Sequence, residues 1–141
     1  MATVRSAHSV RDGDLPEGSG VVTLDSSDRG TRPVPRPSRA NEANGRTSPE
    51  ELITAAHSSR FSMALSHGLS GAGTPPTRLV TSADVTFVPG TGITGVHLTV
   101  EGRVDGMDDD AFVAAAEDAE KNCPVSQALA GTTITLSATL A

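Results

Sequence analysis

The chain has no tryptophan and no tyrosine, and only three phenylalanines and one cysteine, in 141 residues. Its core must therefore be assembled mostly from Ala, Val, Leu and Ile, which gain less per residue than aromatics do. At this length there is room for one domain, and burying apolar surface against a second copy would compensate for the lean core. A single cysteine excludes an intrachain disulfide and suits a reducing compartment. No run approaches the ~18 apolar residues of a membrane span. Nothing near Met1 resembles the apolar stretch of a signal peptide. A cytoplasmic protein with no membrane partner is expected.

Clustered positive charge is scarce as well. The formal net charge is −6 and the isoelectric point about 5.0, which argues against nucleic acid and acidic membrane surfaces. Only the first forty residues differ, with Arg5, Arg11, Arg29, Arg32, Arg36 and Arg39 among them. That segment is rich in Gly and Pro and has no aromatic on which a base could stack. No nucleic-acid partner is expected.

The elements that are present follow a clear order. Residues 1 to about 48 read as short strands and turns. "SGVVTLDSS" (19–27) is a strand bounded by Gly and Ser, and the alternate prolines of "RGTRPVPRPSR" (29–39) fit an edge strand or extended loop. "TSPEEL" (47–52) starts a helix: Ser48 caps, Pro49 takes the first position, and Glu50 and Glu51 complement the dipole. The helix should run to about Leu69. "RLVTSADVTFVP" (78–89) and "GVHLTVEGRV" (95–104) alternate as two strands joined by a "PGTG" hairpin loop. "MDDDAFVAAAEDAEKN" (107–122) is a second helix, "CPVSQALAG" restarts helix at Pro124 and ends at Gly131, and "TTITLSATL" (132–140) closes as a strand. The expected class is α+β with antiparallel sheet. The chain should form one domain, an N-terminal segment of strands (1–48) followed by helix, hairpin, helix pair and final strand (49–141).

The stretch "AAHSSRFSMAL" (55–65) carries apolar residues in almost every direction around its axis, as a helix buried on all sides does. Yet Arg60 sits in its middle. Ile53, His57, Arg60, Ala64 and His67 follow at spacings of four, three, four and three, so they share one face. That face either lines a polar pocket or meets a partner subunit that satisfies the charges. No metal site is expected: His57 and His67 are ten residues apart, no H-E-x-x-H or C-x-x-C occurs, and Arg60 between them repels a cation. Cys123 falls at the N-cap of a helix. Unpaired N–H groups favour thiolate there, although a free buried cysteine is also ordinary packing.

"TSPEELITAAHSSRFSMALS" together with "KNCPVSQALAG" resembles the OsmC/Ohr family of organic hydroperoxide resistance proteins, on the OsmC branch. The likeness extends through "VRDGDLPEGSG" (10–20) and "RPSRANEANGRTSPEEL" (36–52) to the last strand. It implies an OsmC-like fold, antiparallel sheets around two central helices, in an intertwined homodimer with an active site at each interface. It also implies a peroxiredoxin-like role in oxidative stress, with no cofactor. A peroxidatic thiolate attacks the distal oxygen of a hydroperoxide and becomes sulfenic acid. A second cysteine condenses with it, and an external dithiol reduces the disulfide.

Carried onto this chain, the resemblance assigns the family's glutamate to Glu50, its arginine to Arg39 and its resolving cysteine to Cys123. The peroxidatic cysteine belongs in "AAHxxCF", where this chain reads "AAHSSRF", so Arg60 stands in its place. Arg11 and Arg36 stand where relatives carry aromatics. Three functions follow from this. The pocket binds or converts an anionic organic ligand without redox chemistry, held by Arg60 with Arg11, Arg36, Arg39 and His67, with Glu50 or His57 moving a proton where it is converted, for example in biosynthesis. Alternatively, Cys123 alone serves as a weak one-cysteine peroxidase or redox sensor, or the chain is a non-catalytic binding homologue.

Overall fold

The structure, a computed structural model, describes residues 1–35 and 45–141. Among these the chain forms two compact units, Met1–Leu52 and Ile53–Ala141. The division falls close to the start of the long helix.

The first unit holds a three-stranded antiparallel sheet of β1 (His8–Asp12), β2 (Ser19–Thr23) and β3 (Thr31–Pro33), with β2 in the centre. Val10 stands opposite Val21, and Val21 opposite Pro33. Pro33, which has no N–H to donate to a ladder, sits on the edge strand, as the alternate prolines require. Helix α1 (Pro49–Gly71) begins at the end of this unit. Ser48 Oγ accepts from the Glu51 amide at 3.1 Å, and Thr47 donates its hydroxyl to Glu51 Oε1 at 2.7 Å. The expected cap is therefore in place, and α1 ends within two residues of its expected stop.

In the second unit α1 buries His57, Phe61, Leu65 and Leu69. Four-residue spacing sets these side chains in one row, which packs with Leu98, Val100, Phe112 and Ala116 into a core that also contains Cys123. Outside that row Ser58, Ser62, Ala64 and Ser66 are half-buried. Ala55, Ala56, Ser59, Arg60 and His67 are exposed, and Met63 is 60% exposed. The expectation of a helix buried on every side is thus corrected at the level of one chain. The alanines that help it look apolar all round are small enough to stand in solvent at little cost.

The strands β4 (Arg78–Val88) and β5 (Gly92–Arg103) form the expected hairpin, turning through Gly90 and Gly92, whose φ values of 83° and 109° suit glycine alone. A bulge follows, with Thr86 opposite Gly95 and Phe87 opposite Ile93. Helices α2 (Asp109–Asn122) and α3 (Pro124–Ala128) lead to β6 (Thr133–Leu140). Asp108 Oδ1 caps α2 by accepting from the Ala111 amide at 2.8 Å. The α3 helix stops three residues short of Gly131. The fold is α+β, with one departure from antiparallel order: β6 pairs with β5 in parallel, Val96 opposite Ile134. A parallel neighbour needs a crossover of a dozen or more residues, and the two helices supply it.

Candidate functional site

The two halves of the motif pair meet through one hydrogen bond. His57 Nε2, from α1, lies 2.7 Å from Ser126 Oγ, from α3. Both are out of solvent, His57 at 0% and Ser126 at 4% exposure. Burial without a charged partner pushes the His57 imidazole below its ordinary value of 6.5, because the low-dielectric interior disfavours the cation. Among the described residues its other nitrogen, Nδ1, is buried with no partner. The neutral ring therefore holds α3 against α1 and keeps one unsatisfied nitrogen.

Cys123 sits between α2 and α3, closing the first and opening the second. Its amide reaches Glu120 O at 3.3 Å, and no side-chain hydrogen bond caps α3. The expected N-cap position is correct, and the thiol is a free one, 0% exposed within the core. Three residues after His57, α1 turns Arg60 outward. The face drawn from the helical spacing is thus divided: His57 points into the core, whereas Arg60 and His67, seven residues apart, point outward. Two helical turns return almost to the same direction, whereas the three-residue step from His57 to Arg60 leaves those two about 60° apart.

Arg60 is exposed, and its Nη1 lies 3.7 Å from Met63 Sδ. No carboxylate of its own unit pairs with it among the described residues. It lines a groove of about 760 Å³ between α1 and α2, with His67 and Ala64 on one side and Ala115, Asp118 and Asn122 on the other. A volume of this order accommodates a small organic molecule. The Asn122 amide nitrogen donates to Asp118 O at 3.0 Å, leaving its carbonyl oxygen for another partner. Neither Asp118 nor Asn122 was assigned from sequence, though their four-residue spacing places both on one face of α2.

In the first unit, Glu50 follows Pro49 in the opening turn of α1. Its neighbours Ser48 and Glu51 are spent on the cap, whereas Glu50 Oε2 is buried with no partner among the described residues. Arg11 Nη2 donates to the carbonyls of Asp14 and Leu15 at 2.9 and 3.1 Å. Part of its fork is thus committed to the turn after β1. The same residue borders a cavity of about 350 Å³ whose walls are largely apolar, among them Val10, Leu15, Val21, Val34 and Leu52. Arg36 and Arg39 lie outside the described residues. Among the described residues, no helix is long and apolar enough to cross a membrane. No group of three or more His, Cys, Asp or Glu side chains there could hold a metal ion.

Comparison with known proteins agrees with the resemblance. A family model described as OsmC-like protein matches residues 42–137. The peroxiredoxin OsmC of Escherichia coli K12 is 40% identical over 121 residues, covering 84% of each chain. Among solved structures, an OsmC-like protein from Mycoplasma pneumoniae superposes with a TM-score of 0.75 at 13% identity, covering 99% of both chains. An organic hydroperoxide resistance protein from Elizabethkingia anophelis, with crystallant-derived thiocyanate bound, gives 0.72 at 22% identity over the whole of both chains.

Proposed function

The chain belongs to the OsmC-like protein family, and from that premise we propose that its site binds an anionic organic molecule and no longer reduces hydroperoxides. The observation that supports this reading is the exposed Arg60 guanidinium, free of any ion pair in its unit, at the position that the resemblance assigns to the peroxidatic cysteine. A guanidinium is a donor only and carries its charge throughout physiological pH, so it cannot attack a peroxide oxygen. It is well suited to hold a carboxylate, phosphate or enolate through two parallel N–H bonds.

The roles divide accordingly. Arg60 holds the anion, with His67 beside it in the groove, and the further cations are Arg39, the counterpart of the family's arginine, with Arg11 and Arg36, which stand where relatives carry aromatics. The glutamate counterpart, Glu50, keeps a buried carboxylate oxygen available, and His57 a buried nitrogen. Either can take or give a proton while Arg60 stabilises negative charge that develops on the bound molecule. The working unit is a homodimer. In its favour, the outward surface of α1 leaves Met63 60% exposed beside Ala55 and Ala56, surface that a second copy would bury.

The complete burial of Cys123 weighs against a one-cysteine peroxidase, since a reactive thiol needs access to its oxidant. The test is turnover of cumene hydroperoxide with a dithiol reductant. The native chain should stay at background and Cys123→Ala should not differ from it. Turnover that Cys123→Ala abolishes would assign the protein to peroxide reduction and end the proposal.

A further inference from the structure

The sheet of β4, β5 and β6 has a second side, turned away from the core and from α1. Alternation along β5 sends Val96, Leu98 and Val100 inward, where Leu98 and Val100 join Phe61 and Leu65 of α1, and sends His97 and Thr99 outward. On β6, Thr135 and Ser137 are exposed, while Leu136 between them packs against the core. Both hydroxyls reach one imidazole. His97 Nδ1 lies 2.6 Å from Thr135 Oγ1, and His97 Nε2 lies 3.1 Å from Ser137 Oγ. Asp84 stands opposite His97 on β4, with no ion pair between them. A neutral imidazole donates from one nitrogen and accepts at the other, so one hydroxyl accepts from the ring and the other gives its proton toward it. A hydroxyl that donates to an imidazole held by a third group has the arrangement of an activated nucleophile.

We propose that Ser137 is an acyl-accepting nucleophile, with His97 as its base and Thr135 fixing the ring, and that it takes the acyl group of an activated ester, a thioester or aryl ester. The N–H on Nδ1 donates to Thr135, which leaves the Nε2 lone pair for the Ser137 proton. Serine is the better nucleophile of the two hydroxyls, since threonine carries a methyl group beside its oxygen. As Ser137 Oγ bonds to the carbonyl carbon, its proton passes to His97 Nε2. The bond from that carbon to the leaving sulfur or oxygen breaks, the leaving thiolate or aryloxide takes the proton from Nε2, and His97 is neutral again. The step needs neither oxidant nor reductant. While the ring is positive, Asp84 places a negative charge one strand away from it. The two hydroxyls stand on a solvent-exposed face, so the reaction is with an ester that is already reactive and not with an amide. The site is independent of Arg60 and of the α1 surface given to the second copy.

The experiment treats the full chain with p-nitrophenyl acetate, follows the release of p-nitrophenolate, and locates the acetyl groups over time by peptide mass spectrometry. Ser82 is the internal comparison, exposed on the same side of the sheet but opposite Thr99 rather than a histidine. Ser137 should acetylate about a hundredfold or more faster than Ser82, the range for a positioned base. His97→Gln can still hydrogen-bond to both hydroxyls but takes up no proton. It should lower the Ser137 rate by a similar factor and leave acetylation of the exposed Lys121 unchanged. If that variant does not fold, the comparison of Ser137 with Ser82 in the native chain decides alone. If Ser137 acetylates no faster than Ser82, or as fast in His97→Gln as in the native chain, His97 only ties β6 to β5 and the proposal is overturned. Acetyl found on Thr135 in place of Ser137 would give the ring the reverse tautomer and overturn the assignment of the nucleophile.

Discussion

Replacing Ser126 by alanine removes one oxygen and leaves the volume nearly unchanged, so its effect isolates the contact that joins the two motifs. Among the described residues that oxygen is the sole partner of His57 Nε2, at 2.7 Å, and Nδ1 already lacks one. Ser126→Ala strands the second nitrogen of a fully buried ring. The cost of a buried polar group left unpaired is about 1–3 kcal/mol, or a melting point lowered by about 3–10 °C in a chain of this size. His57→Leu alone strands the hydroxyl instead. The double variant strands neither and should cost less than the sum of the singles by about 1 kcal/mol or more.

The pair also predicts a pH response. The folded His57 has its pKa below 6.5 and the unfolded chain has it near 6.5, so between the two values the unfolded state binds the extra proton. Stability due to His57 is complete above about pH 6.5, declines as pH falls through that window at up to about 1.4 kcal/mol per unit, and levels off below the folded value. His57→Leu should flatten that decline. Urea denaturation of the four proteins from pH 4.5 to 7.5, at fixed protein concentration, measures all of this. Additive single variants, Ser126→Ala within about 0.3 kcal/mol of native, and an unchanged slope in His57→Leu would refute the role given to the contact.

Two further outcomes are expected. A Cβ on Gly102 would run into the edge of the fully buried Phe112 ring. Gly102→Ala should therefore lower stability by about 1–3 kcal/mol in chemical denaturation, and a neutral result would mean the ring is not seated there. Light scattering at micromolar concentration should give twice the chain mass. A folded monomer would remove the second copy from the account of the α1 surface.

Much of this architecture was legible because its local signals are strong. The serine, proline and two glutamates that open α1, the glycines of the β4–β5 turn and the proline that opens α3 each fix a boundary through backbone chemistry confined to a few residues. The parallel seating of β6 was not legible, since alternation along a strand is the same in either direction and the partner is chosen by the crossover. The helical spacing brought His57 and Arg60 together on one face, but only the core row of Phe61, Leu65 and Leu69 shows that a three-residue step takes the one inward and the other outward. Ser126 was within a quoted motif and went unassigned, because its partner is 69 residues away in sequence. The groove's second wall escaped for a related reason. Asp118 lies in a run of acidic residues that reads as an ordinary solvated helix face until α1 is set beside it.

The central claim is that Arg60 is kept for a ligand rather than for the fold, and thermal melts of the native chain and Arg60→Met, each with and without a panel of carboxylates and phosphates, test it most directly. An exposed guanidinium without an ion pair in its unit should be dispensable for folding. The variant should therefore lie within about 0.5 kcal/mol of native without ligand. At least one anion should raise the native melting point, by the logarithm of its saturation, and leave Arg60→Met unmoved. A variant that melts far below native while no anion shifts either protein would make Arg60 a structural residue and contradict the account.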